Sequence, residues 1–176
     1  DLGINKALVL AGSPFKATGG FKSSMDLLST GFFEKHNFTE IFCAGHPEGN
    51  RDIDFDGTDK NLMSALKWKY DFFQNTKMKW SLTTQFCFEL EPVSAWEKRL
   101  FEEGISIPIN IGVAGPAKLQ TMIKYALMCG VGPSIRVLEK RAKDLTKLLL
   151  PYSPNKFLSK IGEPITKGGK DLAITV

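Results

Sequence analysis

At 176 residues, 43% of them hydrophobic, 24% charged and 11% aromatic, the chain lies far from the low-hydrophobicity, high-charge composition of disordered segments. A domain of this length buries roughly 70% of its unfolded surface, so a sizeable core is available to it. The net charge of +4 is modest and the lysines are scattered in ones and twos, which argues against a nucleic-acid partner, since no basic stripe interleaves with aromatics.

No signal peptide is evident, and no apolar run approaches the roughly 20 residues of a membrane span, so a cytoplasmic protein without a membrane partner is expected. Cys43, Cys87 and Cys129 are the three cysteines. They are far apart and form no CxxC pair, which reads as reduced thiols rather than a disulfide or metal framework. Cys43 and Cys87 fall in strand-like runs, where burial as small hydrophobes competes with a catalytic role. Position 1 is Asp, and Leu172 to Val176 reads as the beginning of a strand. Residues 1–176 are expected to form one domain, as a fragment or part of a longer chain.

In chain order, KALVLAG (6–12) reads as a strand buried on both faces. A loop rich in Gly, Pro and Lys leads to a helix over SSMDLLSTGFF, with Ser23 or Ser24 as N-cap and Met25, Leu28 and Phe32 at helical spacing. The second strand is Thr39 to Ala44, followed by a polar loop to Gly57. Asp59 is placed to cap a helix from Lys60 to Gln74 with Leu62, Leu66 and Phe73 on one face. Trp80 to Glu89 is the third strand, aromatic and β-branched. Pro92 near its start and Gly104 past its end bracket a helix carrying Val93, Trp96 and Leu100. Residues 105–115 form a fourth strand. A helix from Ala117 to Cys129 follows, with Leu119, Met122, Ile123, Ala126 and Leu127 inward and Gly130 as C-cap. A longer helix spans residues 134–150, and a Pro/Gly/Lys-rich tail ends the chain.

Strand and helix alternate four times, which predicts an α/β fold with parallel strands and right-handed crossovers. Two architectures fit: an open doubly wound sheet, or part of a (β/α)8 TIM barrel, a complete one needing about 250 residues. No GxGxxG or GxxxxGK[ST] opens a helix, so the strongest Rossmann and P-loop signatures are missing.

Either architecture binds ligands beyond the carboxyl ends of its strands. Ser13–Pro14, Gly45–Asn50, Gln85–Glu89 and Gly112–Lys118 therefore converge. His46 is read as a donor or acceptor to a ligand ring or phosphate, or as a loop histidine capping nearby backbone. Gly45 and Gly49 either admit a flat ligand or serve a tight turn with positive φ. Gln85 follows two threonines in an apolar strand. Its amide must find either a ligand edge, such as a pterin or flavin, or a neighbouring strand. Glu48 and Glu89 are candidates for acid–base or ribose contacts against a solvated alternative. Lys69 either meets a phosphate or lies on a solvated helix face.

These motifs resemble the methylenetetrahydrofolate reductase family. GHPEGN (45–50) is similar to the family's strand-end A-[YG]-[YH]-P-E-x-H segment, LKWK (66–69) to its LKxK helix, and TTQFCFE (83–89) to its TQFFF[DE] strand. GISIPI (104–109) resembles its GI-x-x-P-I strand, and ALVLAGSP (7–14) its strand ending in RGD or GGD. The resemblance implies a (β/α)8 barrel, matched here over strands four to seven, without strands one to three, the eighth, or the family's N-terminal glutamate. It further implies FAD, a nicotinamide reductant (NADH or NADPH), and reduction of methylenetetrahydrofolate to 5-methyltetrahydrofolate in one-carbon and methionine metabolism.

Carried over by position, Gln85 matches the pterin-contacting glutamine and His46 the tyrosine beside the flavin. Gly12, Ala44 and Gly45 match strand-end backbone at the cofactor, and Lys69 a lysine near its phosphates. Leu119 falls where relatives place an aromatic against the substrate. Two positions depart. Ser13 replaces the aspartate beside the flavin, and a neutral hydroxyl does not stabilise developing charge as a carboxylate does. Asn50 replaces the second histidine of the motif. The alternatives that follow are a folate-binding barrel relative that transfers methyl groups or reduces another substrate, and a flavin- or folate-binding subunit that has lost catalysis. A homo-oligomer is compatible with each.

Overall fold

The structure, a computed structural model, describes residues 2–11, 19–50, 52–87, 89–128, 153–161 and 172–175. Gly12, Ser13, Cys129, Gly130 and the helix expected over residues 134–150 lie outside them. Five strands, β1 (Lys6–Val9), β2 (Glu40–Gly45), β3 (Lys79–Cys87), β4 (Ile109–Val113) and β5 (Leu172–Thr175), form one sheet in the order β1-β2-β3-β4-β5. Every neighbouring pair is parallel, as an α/β fold requires. Four strands alternate with helices as expected, and the segment from Leu172, read from the sequence as the beginning of a strand, forms the fifth, which pairs with β4.

The described helices are α1 (Ser24–Leu28), α2 (Phe32–Lys35), α3 (Lys60–Gln74), α4 (Leu90–Glu102), α5 (Leu119–Met128) and α6 (Asn155–Ile161). α3 has the predicted bounds and buries Leu62, Leu66 and Phe73 as expected, with Lys69 on the same face. α4 buries Val93, Trp96 and Leu100, and Gly104 beyond it has φ of 75°, the left-handed C-terminal position that suits glycine.

The first helical segment departs from its periodicity. Ser23 caps α1 in a reciprocal capping box with Asp26. Gly31 then adopts φ of 68° and divides the segment into two short helices. That break resets the helical phase, so Phe33 is buried and the predicted Phe32 is exposed. α6 lies in what the sequence reading took for an irregular tail.

The core lies between the sheet and the helices. Ile41 and Cys43 of β2, Leu82 of β3 and Ile109 and Ile111 of β4 pack with Leu66 and Phe73 of α3 and Val93, Trp96 and Leu100 of α4. Trp80 stacks on Phe73 with ring centroids 4.7 Å apart. Side chains alternate across a strand, so the opposite sheet face carries Leu8, Phe42, Ala44, Ser81, Thr83 and Asn110. That face is more open and more polar, with Asn110 Nδ2 donating to Ser81 Oγ at 2.9 Å. β1 is therefore not buried on both faces: Leu8 is 51% exposed. β1 pairs with β2 alone among the described strands.

Candidate functional site

β2 ends at Gly45, and the chain turns through His46-Pro47-Glu48 to Gly49, whose amide donates to the His46 carbonyl at 3.0 Å. Gly49 has φ of 77°, so this turn uses glycine for its left-handed backbone. Gly45 is glycine for a different reason. A Cβ there would lie 2.7 Å from the Trp96 ring of α4, so packing of the sheet on α4 accounts for it, not a positive φ. The turn and the end of β3 enclose a small cleft of about 100 Å³, lined by Gly45 to Asn50 and Gln85 to Cys87. Two of the four predicted strand ends thus meet in one place.

Gln85 reaches the cleft through a break in β3. Thr83 pairs with Asn110 and Phe86 with Gly112, so two β3 residues, Thr84 and Gln85, span one β4 residue. This bulge leaves Gln85 exposed at the cleft. The expectation of a buried amide in need of partners is corrected accordingly. Its Oε1 accepts from the Phe86 amide at 3.3 Å, with no bond to a neighbouring strand. Nε2 has no partner among the described residues.

Close to His46 lies Lys69 of α3, only 6% exposed, which overturns its alternative as part of a solvated helix face. It has no hydrogen bond or ion pair among the described residues. Burial lowers its pKa, and the neighbouring Cys43 thiol acts weakly the other way. Cys43 is pushed up to about 11 by burial, with Lys69 opposing. His46, partly buried, is lowered by burial and then by the Lys69 charge. An ammonium and an imidazole thus share a poorly solvated corner, an arrangement that attracts an anion. The other histidine, His36, sits at the amino end of β2 with its ring against Phe32.

Cys43 and Cys87 are buried free thiols, as their strand positions suggested. Cys87 is also raised to about 11, chiefly by burial, with Thr84 opposing and Glu48 assisting. Neither is poised as a thiolate nucleophile at neutral pH. Ala44 lies on the open sheet face. Asn50 lines the cleft, and its Oδ1 accepts from the Asp52 amide at 2.9 Å. Leu119 begins α5, and Gly12 and Ser13 are outside the described residues. The sequence reading missed Thr84, which holds the bulge against Gly112, and Asp54, which anchors the loop after β2; it places Gly112 only at the start of a converging strand end. The polar Thr83-Thr84-Gln85 run in an apolar strand was the available signal for the first.

A cleft at the carboxyl ends of a parallel α/β sheet is where α/β proteins commonly place their ligands. Comparison with known proteins adds a distant relative. The chain is 28% identical over 141 residues to Methylenetetrahydrofolate reductase 1 of Schizosaccharomyces pombe, covering 74% of this chain and 21% of that protein. The chain thus spans about a fifth of this curated protein's length, and the two are distant relatives. No protein-family model matches the chain.

Proposed function

We propose that this chain forms part of a flavin-dependent oxidoreductase of the methylenetetrahydrofolate reductase type, supplying the wall where flavin and folate meet. The carrying observation is spatial. GHPEGN and residues 85–87 of TQFCFE, parts of two of the three segments that together make the resemblance specific, line one cleft, and the lysine of LKWK is buried close to His46. The distant reductase relative supports the same reading. The sequential order of the described strands and the packing of α3 and α4 on the same sheet face support a (β/α)8 barrel. Same-direction crossovers wind all helices onto one face, whereas a doubly wound sheet reverses its order.

The residues present fit FAD as cofactor. Lys69, a buried cation without an acidic partner among the described residues, suits a phosphate or other anionic part of it. His46 and the backbone of Ala44 and Gly45 would line the ring. FAD, when bound, supplies hydride transfer between NADH or NADPH and methylenetetrahydrofolate. Gln85 orients the pterin through its carboxamide, with Nε2 as the donor available to a ligand acceptor. By the same resemblance Leu119 would belong to the substrate site, and Asn50 and Gly12 to the cofactor site.

Ser13 in place of a carboxylate favours a second reading: a folate-binding relative that transfers methyl groups or reduces another substrate, or a binding subunit without catalysis. Stopped-flow oxidation of NAD(P)H by the flavin-loaded protein, with and without methylenetetrahydrofolate, separates the two. Folate-dependent reoxidation of the reduced flavin supports reductase activity. Folate binding without reoxidation supports the second reading.

A further inference from the structure

We propose that Thr84 is a positioning residue, whose hydroxyl holds the β3 bulge that turns the Gln85 carboxamide into the cleft. A bulge leaves backbone groups out of register with the neighbouring strand, and those groups need other partners. Here one side chain serves two of them. Thr84 Oγ1 accepts from the Gly112 amide of β4 at 3.0 Å and donates to the Gln85 carbonyl at 2.8 Å. The hydroxyl is buried, Thr84 being 6% exposed, so water does not readily replace either bond. Cys87 Sγ adds a weaker donation to the same Gln85 carbonyl at 3.2 Å.

The opposite strand is shaped to match. A Cβ on Gly112 would fall 2.9 Å from the Thr84 carbonyl oxygen and 3.1 Å from the Gln85 carbonyl group. β4 therefore approaches the bulge more closely than a side chain there permits. Clamped between the Thr84 hydroxyl and Gly112, the backbone of Gln85 has a fixed direction. The side chain is then tied once more, through Oε1 to the Phe86 amide, which leaves Nε2 toward the cleft. Thr84 touches no ligand in this scheme and acts through Gln85. The consequence for ligand binding rests on the proposed role of Gln85 toward folate; the coupling of Thr84 to Gln85 does not.

The test compares T84V, T84A and T84S in the purified protein, with two separate readouts. Without ligand, NMR follows exchange of the Gly112 amide and the side-chain amide resonances of Gln85. In T84V and T84A, Gly112 exchange accelerates about tenfold or more, as loss of one buried hydrogen bond implies, and the Gln85 resonances shift. T84S keeps both at wild-type values. With FAD-loaded protein, calorimetry shows 5-methyltetrahydrofolate binding weakened about tenfold in T84V and T84A. FAD affinity is unchanged, and a Q85A background abolishes the folate effect of T84A.

T84V or T84A with wild-type Gly112 exchange and unmoved Gln85 resonances overturns the proposal. T84S behaving like T84A does so as well, and it remains decisive where T84V does not fold. If wild-type protein binds no folate while T84A still moves Gln85, the positioning role stands and the folate reading fails.

Discussion

Lys69 illustrates the tension between stability and binding at a single residue. Burial disfavours its charged form, and no acidic partner among the described residues offsets that cost. Replacing it with a flexible apolar side chain of similar length removes the cost while keeping the packing. Lys69→Met is predicted to raise the unfolding free energy by about 1–2 kcal/mol, measured by urea denaturation without ligand, and to weaken FAD binding at least tenfold. A variant that is both less stable and unchanged toward FAD would count against an anion-binding role.

His46 yields a pH prediction with a definite sign. Its folded pKa lies below its ordinary value of 6.5, so the unfolded chain takes up the proton first as pH falls. Stability is therefore undiminished above 6.5 and declines as pH drops from 6.5 toward the folded pKa, after which this residue adds no further loss. His46→Tyr should lack that decline. Thermal midpoints of the two proteins from pH 7.5 to 5 check it, and parallel curves would refute it.

At the scale of elements, α3 shows how a helix end can be served from outside its own sequence. Asp59 is the N-cap residue, yet its side chain makes no capping bond. It pairs with Arg99 of α4 instead. Asp54, 3% exposed, takes over the cap: its two carboxylate oxygens accept from the amides of Asn61 and Leu62, each at 3.0 Å. One residue thereby closes the loop after β2 and satisfies the first turn of α3. Asp54→Ala is predicted to cost about 2 kcal/mol in a urea melt. Asp59→Ala should cost about 0.5 kcal/mol, since both members of its ion pair are well exposed. Equal losses for the two would assign the cap wrongly.

The same pair shows what was legible in the sequence. The apolar spacing of Leu62, Leu66 and Phe73 defines α3 because those positions depend only on helical period. Which aspartate caps it depends on the path of a loop in space, and the chain order alone points to the nearer one. Leu8 reads as core because its run is apolar, but burial requires a neighbour on each face, which β1 lacks among the described residues. Phe32 and Phe33 exchange roles because one glycine backbone angle resets the phase. Gln85 was identified by residue type and resemblance. The bulge that aims it arises from register with β4, which no local window contains.

For the whole molecule, winding decides where ligands can bind. Strands in the order β1 to β5, all parallel, bring their carboxyl ends to one side, and the loop after β2 meets the end of β3 there. Helices α3 and α4 pack on one sheet face, and the other carries small and polar residues such as Ala44, Ser81, Thr83 and Asn110. Lys69, buried in the helix layer, lies close enough to Cys43 and His46 for its charge to act on both, so a cation sits near the cleft formed by the sheet's backbone. Flavin binding at this place is the proposal on which the folate chemistry depends.

Equilibrium titration of FAD into the purified protein, followed by flavin fluorescence and absorption, tests that proposal. Saturable binding with a perturbed flavin spectrum, weakened at least tenfold in Lys69→Met and retained in T84A, is the predicted result. A protein that takes up neither FAD nor FMN, or that binds flavin equally well without the Lys69 charge, would contradict it.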